Sequence, residues 1–252
     1  MSESNKRNFI VHGSILAIAG ILVRIIGMLY RIPVVNIIGS EGNGIYGAAF
    51  NIYNIMLVLS SYGLPMAVSK LVSARFTKKR YKSAAKVLRC SLMVAVCTGG
   101  IAALLVFFGA SFIENVIYGG GLPGLAVPLR ILAPTIFLVA ILGVIRGFFQ
   151  GQSTMIPTAG SQILEQIVNA IVSIAAGYGM MKAFASSPDV AAYGAAGSTL
   201  GTAMGALTAV LFMGFLYAVY TPTFNRLKRK DRHTENQSTG QICKIIIYTM
   251  IP

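Results

Sequence analysis

The sequence predicts an all-α membrane protein, built as a six-helix transmembrane bundle followed by the start of a seventh helix. Hydrophobic residues make up 55% of the 252 residues and charged residues only 11%, and the mean hydropathy is +0.72. Runs of about 18 or more apolar residues recur along the chain, and each is long enough to cross a bilayer core. Because backbone polar groups in lipid must be satisfied internally, such runs form helices.

Six complete spans are predicted, at about residues 9–37, 45–72, 85–108, 127–149, 159–181 and 194–220. The first is interpreted as an uncleaved helix and not as a signal peptide, because apolar sequence continues through Met28. Residues 1–220 then form the six-helix unit and residues 221–241 a basic cytoplasmic linker. Residues 242–252 form the truncated start of a seventh span, since eleven residues are too few to cross a core of about 30 Å.

Basic residues lie on one side of the predicted spans. Most of the 21 lysines and arginines fall near the N-terminus, in segment 75–89, or after span six. The loops after spans one, three and five instead contain Glu41, Glu114 and Asp189, with Lys182 as their only basic residue. The positive-inside rule therefore predicts a multi-pass protein of the cell membrane with a cytoplasmic N-terminus. Because the basic residues flank apolar spans, the net charge of +14 does not indicate a nucleic-acid partner.

The basic 75–89 segment has two interpretations, and the sequence leaves both open. By the loop-charge rule it is a topology anchor. Alternatively it lies on the membrane as an amphipathic helix, with Phe76, Tyr81 and Leu88 directed toward lipid. Its cations would then bind anionic headgroups, so that anionic membrane lipids are a predicted partner.

A stripe of polar side chains lies inside span five. At the i, i+3, i+4 and i+7 positions of one helix face stand Gln162, Glu165, Gln166 and Asn169. One polar residue is enough to hydrogen-bond two helices, whereas a seven-residue stripe with a carboxylate is typical of a watery cavity. We therefore predict that these four residues line a cavity.

Three further pairs of polar residues lie in or beside the spans. They are Arg24 and Arg31 on one face of span one, Asn51 and Asn54 on span two, and Arg146 and Gln150 at the cytoplasmic end of span four. We predict that these residues also line the cavity, with Arg146 and Gln150 at its cytoplasmic end. Arg24 is far from either interface, which favours a place in the cavity. For Arg31 and Arg146, snorkelling to a membrane interface is an equal alternative to a place in the cavity. For Asn51 and Asn54, the alternative is a hydrogen bond between helices.

Span six carries Gly197, Gly201 and Gly205, a doubled GxxxG pattern. Glycines four apart share a helix face and let a neighbouring backbone approach closely. The pattern predicts a packing face, with a sliding contact between moving helices as the alternative.

The motifs of enzymes are absent from the sequence. It contains no HExxH, GxSxG or Walker A motif and no pair of closely spaced acids inside a span. The three cysteines lack metal-ligand spacing, and Glu165 is the one acid within a span. The sequence therefore predicts neither an enzyme nor a bound cofactor or metal, and it favours transport.

Three stretches of the chain resemble one family. They are YRIPVVNIIGSEGNGIYG (30–47), YGLPMAVSKLVSARF (62–76) and RGFFQGQSTMIPTAGSQILEQIV (146–168). In sequence and order they resemble the polysaccharide-flippase branch of the multidrug/oligosaccharidyl-lipid/polysaccharide (MOP) exporter superfamily, the branch of the lipid II flippases and of proteins akin to stage V sporulation protein B. The resemblance extends from about residue 9 to the end of the chain.

The resemblance implies a transporter of two six-helix lobes around a cavity that opens to each side in turn. This chain would supply the N-terminal lobe, with the missing C-terminal lobe in cis. The implied partner is an undecaprenyl-linked oligosaccharide or a lipid II-like substrate, whose pyrophosphate is held by cavity arginines. Arg24, in the R-x-x-G pattern, and Arg31, in YRIP, match those positions. Position 169 is often basic in the family, and here it is Asn169.

In this picture Glu165 pairs with an arginine such as Arg24 and releases it when a phosphate arrives. The identity of a coupling ion is left open. Two other functions compete with flipping. One is a cation-coupled multidrug exporter of the same fold, although buried arginines suit an anionic cargo better. The other is a non-transporting membrane scaffold that binds partners through the glycine face of span six.

Overall fold

The computed structural model describes residues 3–232 and 238–250, with side chains from residue 14 onward. Within these residues every regular element is a helix and no strand occurs, which confirms the predicted all-α membrane fold. The helices are α1 (Glu3–Ser61), α2 (Leu64–Thr77), α3 (Tyr81–Phe112), α4 (Ala126–Gly151), α5 (Ile156–Ala183), α6 (Val190–Lys230) and α7 (Thr239–Met250). A π-helical turn, Ile113–Ile117, follows α3.

Five helical stretches of the described chain are long and apolar enough to cross a membrane. The first, Ser14–Thr77, contains the first two predicted spans, and the other four correspond to predicted spans three to six. All six predicted spans are therefore helical. The difference in number arises because the first two spans are joined without a loop.

Helix α1 folds back on itself at Gly39. This residue has φ 70° and ψ −176°, a conformation that interrupts the helix and that glycine adopts at little cost. On either side of it, Tyr30 and Tyr46 interact through their side chains. Residues sixteen positions apart in a continuous helix are about 24 Å apart, so this contact requires a hairpin. The change of direction between predicted spans one and two thus takes place at one residue, and residues 40–44 are already helical.

The second predicted span, 45–72, is not one continuous helix, and this part of the prediction was wrong. The helix is interrupted at Tyr62 and Gly63, and α2 begins at Leu64. Pro65 lies in the first turn of α2, where its missing N–H and fixed φ are tolerated but where it prevents continuation from the preceding helix. At the break the backbone carbonyl of Met250 in α7 comes so close to Gly63 that a side chain would not fit.

The glycines of the doubled GxxxG pattern pack α6 directly against α5. A Cβ atom on Gly201 would lie 2.6 Å from the Asn169 carbonyl oxygen, and one on Gly205 would lie 2.7 Å from the Glu165 carbonyl oxygen. Gly197 approaches the Ala176 carbonyl group in the same way. The sequence-based interpretation of these glycines as a packing face is therefore confirmed.

Aromatic rings join three helices at the end of the bundle that holds the basic 78–80 turn, which we call the basic end. Phe76 of α2 and Phe224 of α6 stack with centroids 6.1 Å apart, and Phe148 of α4 packs edge-on against Phe224 at 5.4 Å. Phe224 is buried because α6 continues beyond the predicted span through Lys230. Phe76 also contacts Tyr81.

These contacts contradict the alternative in which segment 75–89 lies on the membrane surface. Phe76 and Tyr81 pack against the core of the basic end, and Leu88 is buried within it. The three side chains predicted to face lipid therefore face the protein. The rings of Phe76 and Tyr81 face inward because the end of α2 lies next to α6. There Phe76 stacks on Phe224 of α6, and Tyr81, at the start of α3, packs against Phe76.

The segment that follows α6 is fastened to the start of α3. The Asp231 carboxylate is buried and accepts a hydrogen bond of 2.8 Å from the Lys82 backbone N–H. This amide belongs to the first turn of α3, where backbone donors have no partner within the helix and an acid is favourable. Helix α7 then packs on the same end, with Ile242 and Ile246 fully buried.

At the opposite end of the bundle, Glu114 plays a similar part for α4. Its two carboxylate oxygens accept hydrogen bonds from the backbone N–H groups of Gly124 and Ala126, at 3.0 and 2.7 Å. Glu114 lies in the π-helical turn that follows α3. One side chain therefore ties the end of α3 to the beginning of α4.

Candidate functional site

The polar stripe predicted on span five lies on α5, between α1, α4 and α6. Gln162, Glu165 and Gln166 are half-buried, whereas Asn169 is only 8% exposed. Exposure therefore decreases along the stripe, away from the basic end. The first three residues have side chains that reach the surface of the bundle, and the fourth is part of its interior.

Glu165 forms an ion pair with Arg146 of α4. The distance between Glu165 Oε2 and Arg146 Nη2 is 2.7 Å, and Arg146 Nε donates a second hydrogen bond of 2.9 Å to Ser161 Oγ. The Ser161 hydroxyl in turn donates to the Thr158 carbonyl oxygen at 2.8 Å. The arginine that the sequence suggested for Glu165 was Arg24, and this pairing was wrong. Arg146 had been predicted only as a residue at the end of the cavity.

Helix α1 packs alongside α5 in a parallel orientation. A Cβ atom on Gly27 would lie 3.3 Å from Gln166 Nε2, and Asn169 Nδ2 lies 3.4 Å from the Tyr30 hydroxyl group, to which it donates. The step of three residues from Gly27 to Tyr30 along α1 thus matches the step of three residues from Gln166 to Asn169 along α5, so the two helices run in the same direction. Gly27 is the glycine of the R-x-x-G pattern, and its missing side chain gives the Gln166 amide room against α1.

Asn169 is the centre of a buried hydrogen-bond network. Its Oδ1 accepts from Ser173 Oγ at 2.9 Å and from Thr202 Oγ1 at 3.5 Å. The Ser173 hydroxyl also lies 2.8 Å from the Ser198 carbonyl oxygen. The sequence analysis missed these hydroxyl groups, as well as those of Tyr30 and Ser161. Ser173 was detectable, because it continues the stripe four residues beyond Asn169.

Arg24 and Arg31 have exposed side chains, and no hydrogen bond or ion pair involves them within the described residues. Arg24 lies about 60° around α1 from Gly27, and Arg31 about 20° from Arg24. Both therefore lie on the edge of α1 that adjoins the α5 stripe. On the other side of them runs an exposed apolar strip that includes Ile25.

The remaining predicted residues are Asn51 and Asn54 of α1 and Gln150 of α4. Asn51 and Asn54 are exposed on the second arm of α1, on a helix face that also exposes Val58. Gln150 is half-buried, one turn after Arg146. No hydrogen bond within the described residues joins these three side chains to Arg24 or to Glu165.

The surface formed by Arg24, Arg31 and the polar stripe of α5 carries charges that suit an anion. Arg24 and Arg31 contribute two positive charges, and the Arg146–Glu165 pair is neutral. An arginine placed in hydrocarbon is costly, so arginines inside a span face a bundle interior or water. Arginine also presents a planar set of donors that fits a phosphate or carboxylate group. Within the described residues, no three His, Cys, Asp or Glu side chains are grouped to hold a metal ion.

The fold matches one half of solved MOP-superfamily transporters. A MOP superfamily transporter from Pyrococcus furiosus aligns with a TM-score of 0.69 at 17% identity, over 94% of this chain and 51% of that chain. An outward-facing multidrug resistance MATE family transporter aligns with a TM-score of 0.69 at 16% identity, over 94% and 51%. The molecule is therefore a multi-pass membrane protein with the MOP fold.

The chain belongs to the polysaccharide biosynthesis protein family, whose sequence model matches residues 10–240. Lipid II flippase MurJ of Bacillus subtilis (strain 168) is 33% identical over 176 residues, which are 68% of this chain and 32% of MurJ. Stage V sporulation protein B of the same organism is 30% identical over 210 residues, or 82% of this chain and 39% of that protein. The chain thus spans less than half the length of the curated relatives it matches. The predicted family resemblance is confirmed.

Proposed function

We propose that this chain is the N-terminal lobe of a flippase that moves a lipid-linked peptidoglycan or polysaccharide precursor across the cell membrane. The observation that carries the proposal is the exposure of Arg24 within α1, next to the polar stripe of α5. Arg24 is fifteen residues, or about 22 Å, from the turn at Gly39, so it lies deep within the span. Such a charge needs an aqueous cavity, and it supplies a partner for a phosphate group.

The names of the relatives support this cargo. The chain is similar to a lipid II flippase, and the family model that it matches is one of polysaccharide biosynthesis. A carrier lipid linked to sugar by a diphosphate has an anionic head that suits Arg24 and Arg31. The half-buried amides Gln162 and Gln166 are placed to hydrogen-bond sugar hydroxyl groups beside that head.

The cavity requires a second lobe. The chain covers about half of the solved transporters and less than half of its curated relatives. In the proposal a C-terminal lobe in cis covers the exposed edge of α1 and forms the opposite wall. Rocking of the two lobes exposes the cavity to each leaflet in turn. The basic end is cytoplasmic, as its charge requires.

The test is transport of a fluorescent lipid-linked oligosaccharide in liposomes that contain the chain joined to its second lobe. We expect Arg24→Ala to abolish flipping, and Arg24→Lys to retain part of it, since lysine keeps the charge without the bidentate geometry. Arg130, at the far end of α4, donates to Ser111 and is exposed. Arg130→Ala therefore serves as the matched control and should flip normally.

Two results would contradict the proposal. Full activity of Arg24→Ala would show that the exposed arginine does not bind the cargo. Transport of cationic drugs without flipping of the lipid would favour the multidrug exporter. The 252-residue chain alone should not flip, because it has no second wall to close the cavity.

A further inference from the structure

The ion pair between Arg146 and Glu165 uses only part of the hydrogen-bonding capacity of both groups. Arg146 donates through Nη2 to one carboxylate oxygen and through Nε to Ser161. Within the described residues nothing accepts a hydrogen bond from its Nη1 atom, and nothing donates to Glu165 Oε1. The pair is therefore a single-contact ion pair, not the two-contact arrangement that makes arginine–carboxylate pairs strong.

The pair is also within reach of solutes. The side chains of Arg146 and Glu165 are 15% and 26% exposed. A pair that is fully exposed contributes little, and one that is fully buried is hard to open without leaving an uncompensated charge. This intermediate position makes the pair stable at rest and open to competition by a stronger anion.

A phosphate group is such a competitor. It presents several oxygens and binds a guanidinium group through two parallel hydrogen bonds, using the Nη1 donors that Glu165 leaves free. The Ser161 hydroxyl fixes the Nε side of Arg146, so that the guanidinium keeps its orientation when the carboxylate leaves. Two anions next to one cation repel each other, and binding of the phosphate therefore displaces Glu165.

We propose that Arg146 is an anion-binding residue that Glu165 occupies until the diphosphate of the cargo arrives. Glu165 then acts as a built-in competitor that excludes weak or singly charged anions from this end of the surface. The inference rests on the proposed function, because it takes a diphosphate-bearing lipid as the anion. It differs from that function in assigning a binding role on α4 and an opposing role on α5.

The test is calorimetric titration of the 252-residue chain, in uncharged detergent at low salt, with inorganic pyrophosphate. Removal of the competitor in Glu165→Gln should lower the Kd about tenfold. Arg146→Gln should raise the Kd, and the double variant should bind like Arg146→Gln alone, because the competitor has nothing left to occupy. Arg146→Lys should bind more weakly than the parent chain, through loss of the two-contact geometry.

Two matched control variants distinguish the effect of the Arg146–Glu165 pair on the Kd from the effect of net charge. Glu41 is exposed at the opposite end, so Glu41→Gln removes the same charge and should leave the Kd unchanged. Arg130→Gln removes an arginine from the other end of α4 and should also leave it unchanged. Circular dichroism of each variant establishes that it is folded. Loss of structure would weaken pyrophosphate binding, so tighter binding by Glu165→Gln does not arise from unfolding.

The outcomes separate this inference from the proposed function. Unaltered or weaker binding by folded Glu165→Gln, or equal tightening by Glu41→Gln, would refute the competitor role. If Arg24→Ala still abolished pyrophosphate binding in that case, the anionic cargo of the proposed function would stand. If no variant bound pyrophosphate, this inference would fail, and flipping by the protein with both lobes would decide the proposed function separately.

Discussion

The approach of α6 to α5 at Gly201 gives a prediction whose size follows from the geometry. In Gly201→Ala the new Cβ atom would lie 2.6 Å from both the Asn169 carbonyl oxygen and the Ser173 backbone nitrogen, and would also collide with Ser173 Oγ. An ordinary contact begins at 3.4 Å. The two helices must therefore separate by about 1 Å, because backbone atoms cannot rotate away. Overpacking of this kind costs about 1–3 kcal/mol.

A glycine on the same helix provides the control. Gly214 has no atom within 4 Å of its Cβ position, so Gly214→Ala meets open space and gains up to about 1 kcal/mol of helix propensity. The same gain offsets part of the cost at Gly201, leaving about 0–2 kcal/mol of net destabilisation. The two variants should thus differ by about 2 kcal/mol. At about 2–4 °C per kcal/mol for a chain of this size, their Tm values should differ by about 4–8 °C.

Thermal unfolding in detergent, followed by circular dichroism at a helix wavelength, measures this difference. Circular dichroism is preferable to intrinsic fluorescence because the chain contains no tryptophan. Adding Ser173→Ala to Gly201→Ala should restore at most part of the Tm, since it removes the hydroxyl collision but leaves both backbone collisions and loses the hydrogen bond to Asn169. Equal Tm values for the two glycine variants would refute the close packing of α5 and α6.

Three further predictions concern the ends of the bundle. In a chain without native cysteines, Ser238→Cys should resist an impermeant maleimide on intact cells, and ready labelling would overturn the orientation. Mild oxidation should join Cys90 to Cys243, because the Cys90 thiol lies 3.8 Å from the Thr239 carbonyl oxygen, one turn before Cys243. Peptide mass spectrometry detects this bond, and its absence would argue against α7 docking on α3. Glu114→Ala should cost about 1–2 kcal/mol by removing the acceptor of two backbone amides, and Glu114→Gln should cost less; equal unfolding temperatures would contradict the capping role.

Hydropathy and glycine spacing predicted most of the fold, because both are local properties of one helix. The break at Gly63 was missed, although Pro65 follows two residues later, because the apolar run continues across it. The extension of α6 through Lys230 was missed for a related reason. Its last turns are basic, and the burial of Phe224 depends on rings from α2 and α4 that no local pattern reveals.

The site shows the same limit. The spacing of residues on α5 predicted correctly that Gln162, Glu165 and Gln166 share a face and that Asn169 continues it. It did not reveal the partner of Glu165, since a helical period gives the angle of a side chain around its own axis but not the height or rotation of the neighbouring helix. The packing of α4 on α5 brings Arg146, and not Arg24, next to Glu165.

The aromatic contacts of the basic end have a consequence for synthesis of the chain. Phe76 emerges from the ribosome early, Phe148 later, and Phe224 only after almost the whole bundle has been made. Phe76 of α2 and Phe148 of α4 are therefore in the membrane or at its surface before Phe224 has been synthesised. A nascent chain paused before residue 224 therefore leaves Phe76 and Phe148 without the ring that packs against both of them in the folded bundle.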